Sequence, residues 1–280
     1  MKKHLPTILL LVISVLGLGL ILYPTISDYI NSLHSSRAIA SYLEQVENME
    51  EQDKQLYWDS AVAYNKSLLH RPNSFILTEE QTAQYNELLN VSGNGIMGYI
   101  VIEQLNISLP IYHGTDDAVL QTAVGHLDWT SLPVGGPSTH SVLSGHRGLP
   151  SAKLFTDLAQ MQEGDLFVLQ ILDETLTYEV DQILIVEPEE VDDLLIVKGM
   201  DYCTLLTCTP YGVNSHRMMV RGHRVENQNK ETAKVVRITA EAVQIDSKLV
   251  AVLLAVPFLL IALIYTMIRD HFRKKRRRKQ

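Results

Sequence analysis

The sequence predicts a mainly β domain, a closed barrel or a sandwich with short helices, preceded by a helical region and flanked by two transmembrane helices. Three observations predict it. Short runs rich in Val, Ile, Leu, Tyr and Thr follow one another from residue 98 to 225, separated by Gly and Pro. Ahead of them, a polar stretch carries apolar residues at helical spacing. At either end lies an uncharged apolar stretch, 5–23 and 249–268, and ~20 such residues suffice to cross a bilayer as a helix.

The first element, "LPTILLLVISVLGLGLILY", is read as an uncleaved anchor spanning 1–26. Its apolar core exceeds the ~7 to 15 residues of a usual signal-peptide core, and "LYPTISDY" after it offers no clear small-x-small cleavage site. Residues 27–97 form a helical stalk and lid region. Ile30, Leu33, Leu43, Val46 and Met49 recur at helical spacing in a stretch without Gly or Pro, which predicts a helical stalk or hairpin to about Leu69. The pattern breaks at Pro72. "TEEQTAQYNELLN" then predicts a helix with Thr78 as N-cap and Gln81 completing a capping box, and "VSGNG" ends the region.

The β region runs over 98–225. Its strands are expected in "YIVIEQLNISLPIY", "HSVLSGH", "DLFVLQIL", "TLTYEVDQILIV", "YCTLLTC" and "HRMMVRGH", with helical interruptions at "DDAVLQTAV" and "SAKLFTDL". Several short strands with few helices favour a barrel or sandwich over a parallel α/β sheet. A polar linker, 226–248, leads to the second span at 249–268. Beyond it the tail, 269–280, carries eight Lys or Arg, and Lys2 and Lys3 precede the first span; the positive-inside tendency puts both termini in the cytoplasm and the β domain outside the cell.

The formal charge of −8 hides a division. Without the two N-terminal lysines and the tail, 14 Lys and Arg face 31 acids, so the external part carries about −17. That balance excludes nucleic acid as a partner, and the basic tail fits anionic lipid of the bilayer instead. The only two cysteines, Cys203 and Cys208, are too few for a disulfide scaffold; five residues apart on one strand, they point to opposite faces. The spacing of Cys203, Cys208, His216 and His223 fits no common zinc pattern, so neither a metal nor a cofactor is expected.

Cys208 ends a β-like run just before Thr209 and Pro210, where a side chain is placed for chemistry. A reactive thiol needs a nearby cation or base. If "YCTLLTC" and "HRMMV" pair as a hairpin, Arg217 lies across from Cys208 and its guanidinium can hold a carbonyl oxygen or an oxyanion. His146, between Gly145 and Gly148 in "SGHRG", also stands at a strand end. On spacing alone His113, His126, His140, His216 and His223 compete with it. Cys203 reads as core, Arg224 as a solvated strand residue, and Arg147 is open between roles.

The segments "TLLTCTPYGVNSHR" and "SGHRGLPSAKLFTDL" resemble the two signature regions of sortases, membrane-bound cysteine transpeptidases of Gram-positive surfaces. With "GYIVIEQLNISLPIYHGT" and "GHLDWTSLPVGG" they are most similar to class C, the pilin polymerases, over roughly Gly98 to Arg224. The resemblance implies an eight-stranded β-barrel with His146, Cys208 and Arg217 as the catalytic set. Cys208 would attack the Thr carbonyl of an LPXTG-like sorting signal, His146 would protonate the leaving amine, and Arg217 would hold the signal and the oxyanion. The acceptor it implies is a lysine amine on another pilin subunit. Class C enzymes commonly carry a lid with an Asp-Pro-aromatic motif, which this chain lacks; "HRPNSFILT" keeps Pro72 and Phe75, and "YWDS" offers Trp58. A wall-anchoring sortase and a non-enzymatic membrane-tethered scaffold are the alternatives. An L,D-transpeptidase is disfavoured, because "LLTCTPYG" is not its Ser-x-Gly-Cys-x-Arg setting.

Overall fold

The computed structural model describes residues 5–70, 75–227 and 264, excluding the side chains of 5–12, 14 and 15. Pro72, nearly all of the linker, the second apolar stretch apart from Ile264, and the basic tail lie outside the described residues. The chain forms two compact units, Met1–Ile26 with Val243–Gln280, and Ser27–Ala242. In the first, helix α1 begins, and its apolar side chains Leu16, Leu20 and Ile21 are exposed. Among the described residues, no helix is long and apolar enough to cross a membrane.

Helix α1, Leu5–Asn48, continues into the second unit, turns at Met49 and Glu50, and is followed by α2, Glu51–Leu68. The polar stretch thus folds as two successive helices. Glu51 and Asp53 sit in the first turn of α2, where the exposed N–H groups favour negative charge. The buried face of α1 is Ser35, Ile39, Tyr42, Leu43 and Val46, so Ile30, expected on that face, lies before the seam and is exposed, while α2 buries Ala61, Tyr64 and Asn65. Helix α3, Glu79–Glu87, starts as its sequence predicts: Thr78 Oγ1 accepts from Gln81 N–H and the Gln81 side chain accepts from Thr78 N–H.

Eight strands follow: β1 Ile96–Ile102, β2 Ile107–His113, β3 Val124–His126, β4 Thr139–Ser144, β5 Leu166–Ile171, β6 Glu174–Val186, β7 Asp201–Thr209 and β8 His216–Val225. They close in the order β1-β2-β3-β4-β7-β8-β6-β5, a barrel and not a sandwich. Closure leaves no unpaired edge. Two pairs are parallel, β2 with β3 and β4 with β7; the remaining pairs are antiparallel. Strand β1 is buried at every position, because helices cover its outer face: Tyr42 donates to Met97 O at 3.0 Å and accepts from Leu172 N–H at 2.7 Å.

Three local expectations are corrected. "YIVIEQLNISLPIY" is two strands, split by a 3-10 turn at Glu103–Leu105 that ends on Asn106 in the left-handed region. "DDAVLQTAV" gives one helical turn, α4 Asp117–Leu120, and then yields to β3, which pairs with β2 and β4. "SAKLFTDL" is not an α-helix. Leu154 has φ +39°, and Ala152, Leu154, Phe155 and Leu158 are all buried, so tertiary packing overrides the helical pattern and leaves only a 3-10 turn at Leu158–Gln160.

Two buried histidines fasten the outer elements to the barrel. His126 Nδ1 meets the Tyr85 hydroxyl of α3 at 3.0 Å and its Nε2 meets Ser131 O at 2.8 Å. His140 meets Leu195 O at 3.0 Å and the Thr204 hydroxyl at 2.7 Å. Burial pushes His126 down to about 3 and His140 down to about 4 from the ordinary 6.5. Both stay neutral in the fold while an unfolded chain protonates them, so their contribution is complete above about pH 6.5 and is lost as the pH falls toward those values. Asp128 and Asp201, raised by burial, act with the opposite sign but in the carboxylate range. The denaturation midpoint is therefore expected to fall between about pH 7 and 5, and His126→Gln to flatten that slope whatever its effect at pH 7. Urea titrations at stepped pH measure both; a flat wild-type profile would contradict the assignment.

Candidate active site

Strand β7 alternates between two environments. Cys203, Leu205, Thr207 and Thr209 are buried on one face, and Cys203 belongs to the main core. On the other face Leu206 packs with Val142, Leu194 and Met219 in a small second core, and Cys208 comes two residues later, partly exposed. An odd separation in one strand sends the two thiols apart. Both are free, and burial raises the Cys203 thiol well above the ordinary cysteine value.

The hairpin of β7 and β8 pairs Cys208 with Arg217 and Thr209 with His216. Directly opposed residues in an antiparallel pair share a face, so Arg217 lies beside Cys208 on the partly exposed side. His216 falls on the Thr209 side, and its Nδ1 meets Ser215 Oγ at 2.8 Å. Arg217 Nη1 donates to Asn214 O of the connecting loop at 3.3 Å and to His216 O at the start of β8 at 3.2 Å. The other β8 arginines are engaged elsewhere. Arg221 forms a two-pronged pair with Asp181 at 3.0 and 3.1 Å and lies over the Tyr202 ring, and Arg224 donates to Thr177 O and Thr175 O. Arg224, expected to be solvated, is thus tied to β6.

The turn after β4 lies at the same end of the barrel. Because β4 runs parallel to β7, with Ser144 beside Leu206, the residues that follow both strands emerge together. Gly145 N–H donates to Leu206 O at 3.0 Å, Thr207 Oγ1 donates to Gly145 O at 2.7 Å, and Arg147 Nη1 donates to Thr209 Oγ1 at 3.0 Å. His146 is bracketed by these contacts as Cys208 is bracketed by the two threonines. On β4, His140 and Val142 face the same side as Thr204 and Leu206; the alternation carried past Ser144 puts His146 on the Cys208 side.

Close approach explains two glycines of this turn. A Cβ on Gly145 would come within 2.6 Å of the Phe155 ring, and Gly148, at φ +81°, would meet the Tyr211 ring at 2.9 Å. The turn is thereby seated on Phe155, whose N–H donates to His146 O at 3.1 Å, and capped by Tyr211 of the β7–β8 loop.

The competing histidines have other duties. His113 meets Gly95 O at 2.9 Å and Leu88 O at 2.7 Å, while His126 and His140 are buried in the contacts described above. His223 pairs in register with Tyr202, at the far end of the hairpin. Trp58 packs against the main core from α2. Phe75 meets Trp129 edge-on, centroids 4.9 Å apart, and lines a cavity of about 690 Å³ with His140 and Leu194. Thr207 and Thr209 were missed in the sequence; the flanking of the cysteine by two threonines, "TCT", was the available signal.

The family description that matches residues 100–225 is the sortase domain. Sortase D of Bacillus subtilis (strain 168) is 29% identical over 131 residues, which are 46% of this chain and 63% of that protein. The chain thus spans less than two thirds of this curated relative. Among solved structures, sortase C1 from Streptococcus agalactiae is 52% identical, with a TM-score of 0.67, covering 69% of this chain and 100% of that one. Sortase C from Streptococcus pneumoniae is 41% identical, with a TM-score of 0.62, covering 68% of this chain and 97% of that one. With the closed eight-stranded barrel and near-complete coverage of these structures, the chain belongs to the sortases, the family of cysteine transpeptidases, and within it to class C.

Proposed function

We propose that the chain is a membrane-anchored pilin polymerase in which His146, Cys208 and Arg217 carry the chemistry. The observation that carries this reading is the cross-strand pairing of Cys208 with Arg217 at the barrel end where the His146 turn is tied down. The Cys208 thiolate attacks the Thr carbonyl carbon of an LPXTG-like sorting signal. As the C–N bond to the following residue breaks, His146 gives a proton to the leaving amine, and a thioester remains on Cys208. A lysine amine of a second pilin subunit then attacks the thioester, yields its proton to His146, and expels the thiolate, leaving an isopeptide bond. Arg217 turns from the neighbouring Asn214 and His216 carbonyls to the oxyanion of each tetrahedral intermediate.

The pilin assignment rests on similarity to class C over whole structures, at 52% and 41% identity, against 29% over part of the sortase D relative. The Streptococcus pneumoniae enzyme has a pilin substrate specificity. Anchoring rests on the uncharged stretches 5–23 and 249–268 and on the basic tail, with both termini cytoplasmic and the barrel outside. The exposure of Leu16, Leu20 and Ile21 suits a lipid-facing helix. The segment around Phe75, which meets Trp129 edge-on, serves as the lid, while Trp58 secures the helix behind it.

Two outcomes are expected. Alkylation of the native full-length chain should label Cys208 alone, with Cys203 reacting only in denaturant; equal labelling of both thiols would contradict the assigned faces. Mass spectrometry after incubation with an LPXTG-type peptide should find a thioester at Cys208, absent in Cys208→Ala, and Arg217→Ala should slow its formation by about 10²-fold or more. Peptide cleavage persisting in Cys208→Ala would end the proposal. A lysine-linked product with pilin supports polymerisation, and a product only with a cell-wall amine would overturn it in favour of wall anchoring.

A further inference from the structure

We propose that Arg147 and Thr209 form a clamp that positions His146 relative to Cys208; this deepens the sortase reading and rests on it. The backbone ladder between β4 and β7 closes with Gly145 N–H to Leu206 O, one residue short of His146. From there side chains hold the turn to β7. Thr207 Oγ1 grips Gly145 O at 2.7 Å ahead of the histidine, and Arg147 Nη1 reaches Thr209 Oγ1 at 3.0 Å behind it. The two threonines flank Cys208 but occupy the opposite, buried face of the strand. The turn is therefore held from behind, and neither grip occupies space needed by a peptide on the cysteine side.

Arg147 and Thr209 form the more informative half. The Thr209 bond is the one hydrogen bond of the Arg147 guanidinium among the described residues, and Arg147 Nε is buried there without a partner. A partly buried cationic side chain with a buried, unpaired N–H costs stability unless its placement serves another purpose. It joins no carboxylate among the described residues, and the burial of its Nε sets it apart from a fully solvated surface charge. Its contact lies one residue from the histidine at one end and one from the cysteine at the other. Losing it frees the turn to pivot between Gly145 and Gly148, and an error of ~1 Å in a proton-transfer group costs roughly 10²-fold in rate. Both are positioning residues: they act through His146 and need not touch substrate.

The test compares kcat and KM for thioester formation by the full-length chain with an LPXTG-type peptide. Thr209→Val keeps the shape and removes the acceptor, Thr209→Ser keeps the acceptor, and Arg147→Met removes the donor. The clamp predicts that Thr209→Val and Arg147→Met each lower kcat about tenfold with KM within about twofold, and that Thr209→Ser stays near wild type. Both changes break one bond, so the double variant should be no slower than the worse single one. Tyr42→Phe, which removes a buried hydroxyl on α1, serves as a structural control and should lower Tm without this loss of kcat. Wild-type kcat in Thr209→Val, equal losses in Thr209→Ser and Thr209→Val, or losses that multiply in the double variant would overturn the clamp. If Arg147→Met does not fold, the Thr209 pair decides. A wild-type chain that forms no thioester defeats the sortase reading and the clamp with it; one that does, with clamp variants matching it, defeats the clamp alone.

Discussion

The parallel pairing of β4 with β7 is the constraint on which the site depends. Two antiparallel neighbours would send the ends of "HSVLS" and "YCTLLTC" to opposite rims of the barrel; parallel neighbours deliver both to one rim. The residues at or just after the ends of both strands, His146 and Cys208 among them, then emerge at the same rim although these two lie 62 positions apart in the chain. The antiparallel β7–β8 pair adds the third group by turning the chain back through the residues after Cys208, so that Arg217 falls opposite the thiol. Any barrel with these strands but a different neighbour for β7 would hold the same residues and no site.

That pairing has to be held against water and against the chain's own alternatives. Parallel strands cannot be joined by a tight turn, and the long path from β4 to β7 passes through β5 and β6, whose extensive pairing with β1 and β8 closes the barrel. The crossing segment before β7 is itself seated on the outer face by Leu194, against Val142 of β4 and Met219 of β8. One small apolar cluster thus bridges the strands that carry all three groups. His140 adds a polar tie from β4 to both Leu195 and Thr204, and because it is buried it stays neutral over the physiological range.

What the sequence made legible follows from what is local. The cysteine before Thr-Pro, the glycine-flanked histidine, the Thr78 capping box and the outward turn of Cys208 away from Cys203 all rest on short-range geometry, and the structure has each in that form. Pairing is not local. Strand β3 is three residues long, too short to show a period of two, and exists because β2 and β4 supply partners on both sides. "SAKLFTDL" carries a helical pattern, yet its apolar residues are consumed by the barrel end. Among the histidines, spacing could not separate His146 from His113, His126 or His140, since burial and hydrogen bonding distinguish them only once the strands are in place. Thr207 and Thr209 were illegible for the same reason: a hydroxyl that grips a turn across the sheet has no signature along the chain.

The three arginines of β8 show how such a scaffold leaves one group available for chemistry. Arg221 is saturated by a carboxylate with matched two-pronged geometry, and displacing it would strand a partly buried Asp181. Arg224 is bound into the carbonyls of β6. Among the described residues, Arg217 donates only to carbonyls of nearby residues, Asn214 and His216, at 3.3 and 3.2 Å, rather than to another strand. A hydrogen bond to an ionised acceptor is roughly twice as strong as a neutral one. In the proposed mechanism, the exchange of those carbonyls for an oxyanion becomes favourable when negative charge appears beside Cys208. On that proposal the ground state leaves the guanidinium parked and the intermediate draws it in, which would give selectivity for the transition state.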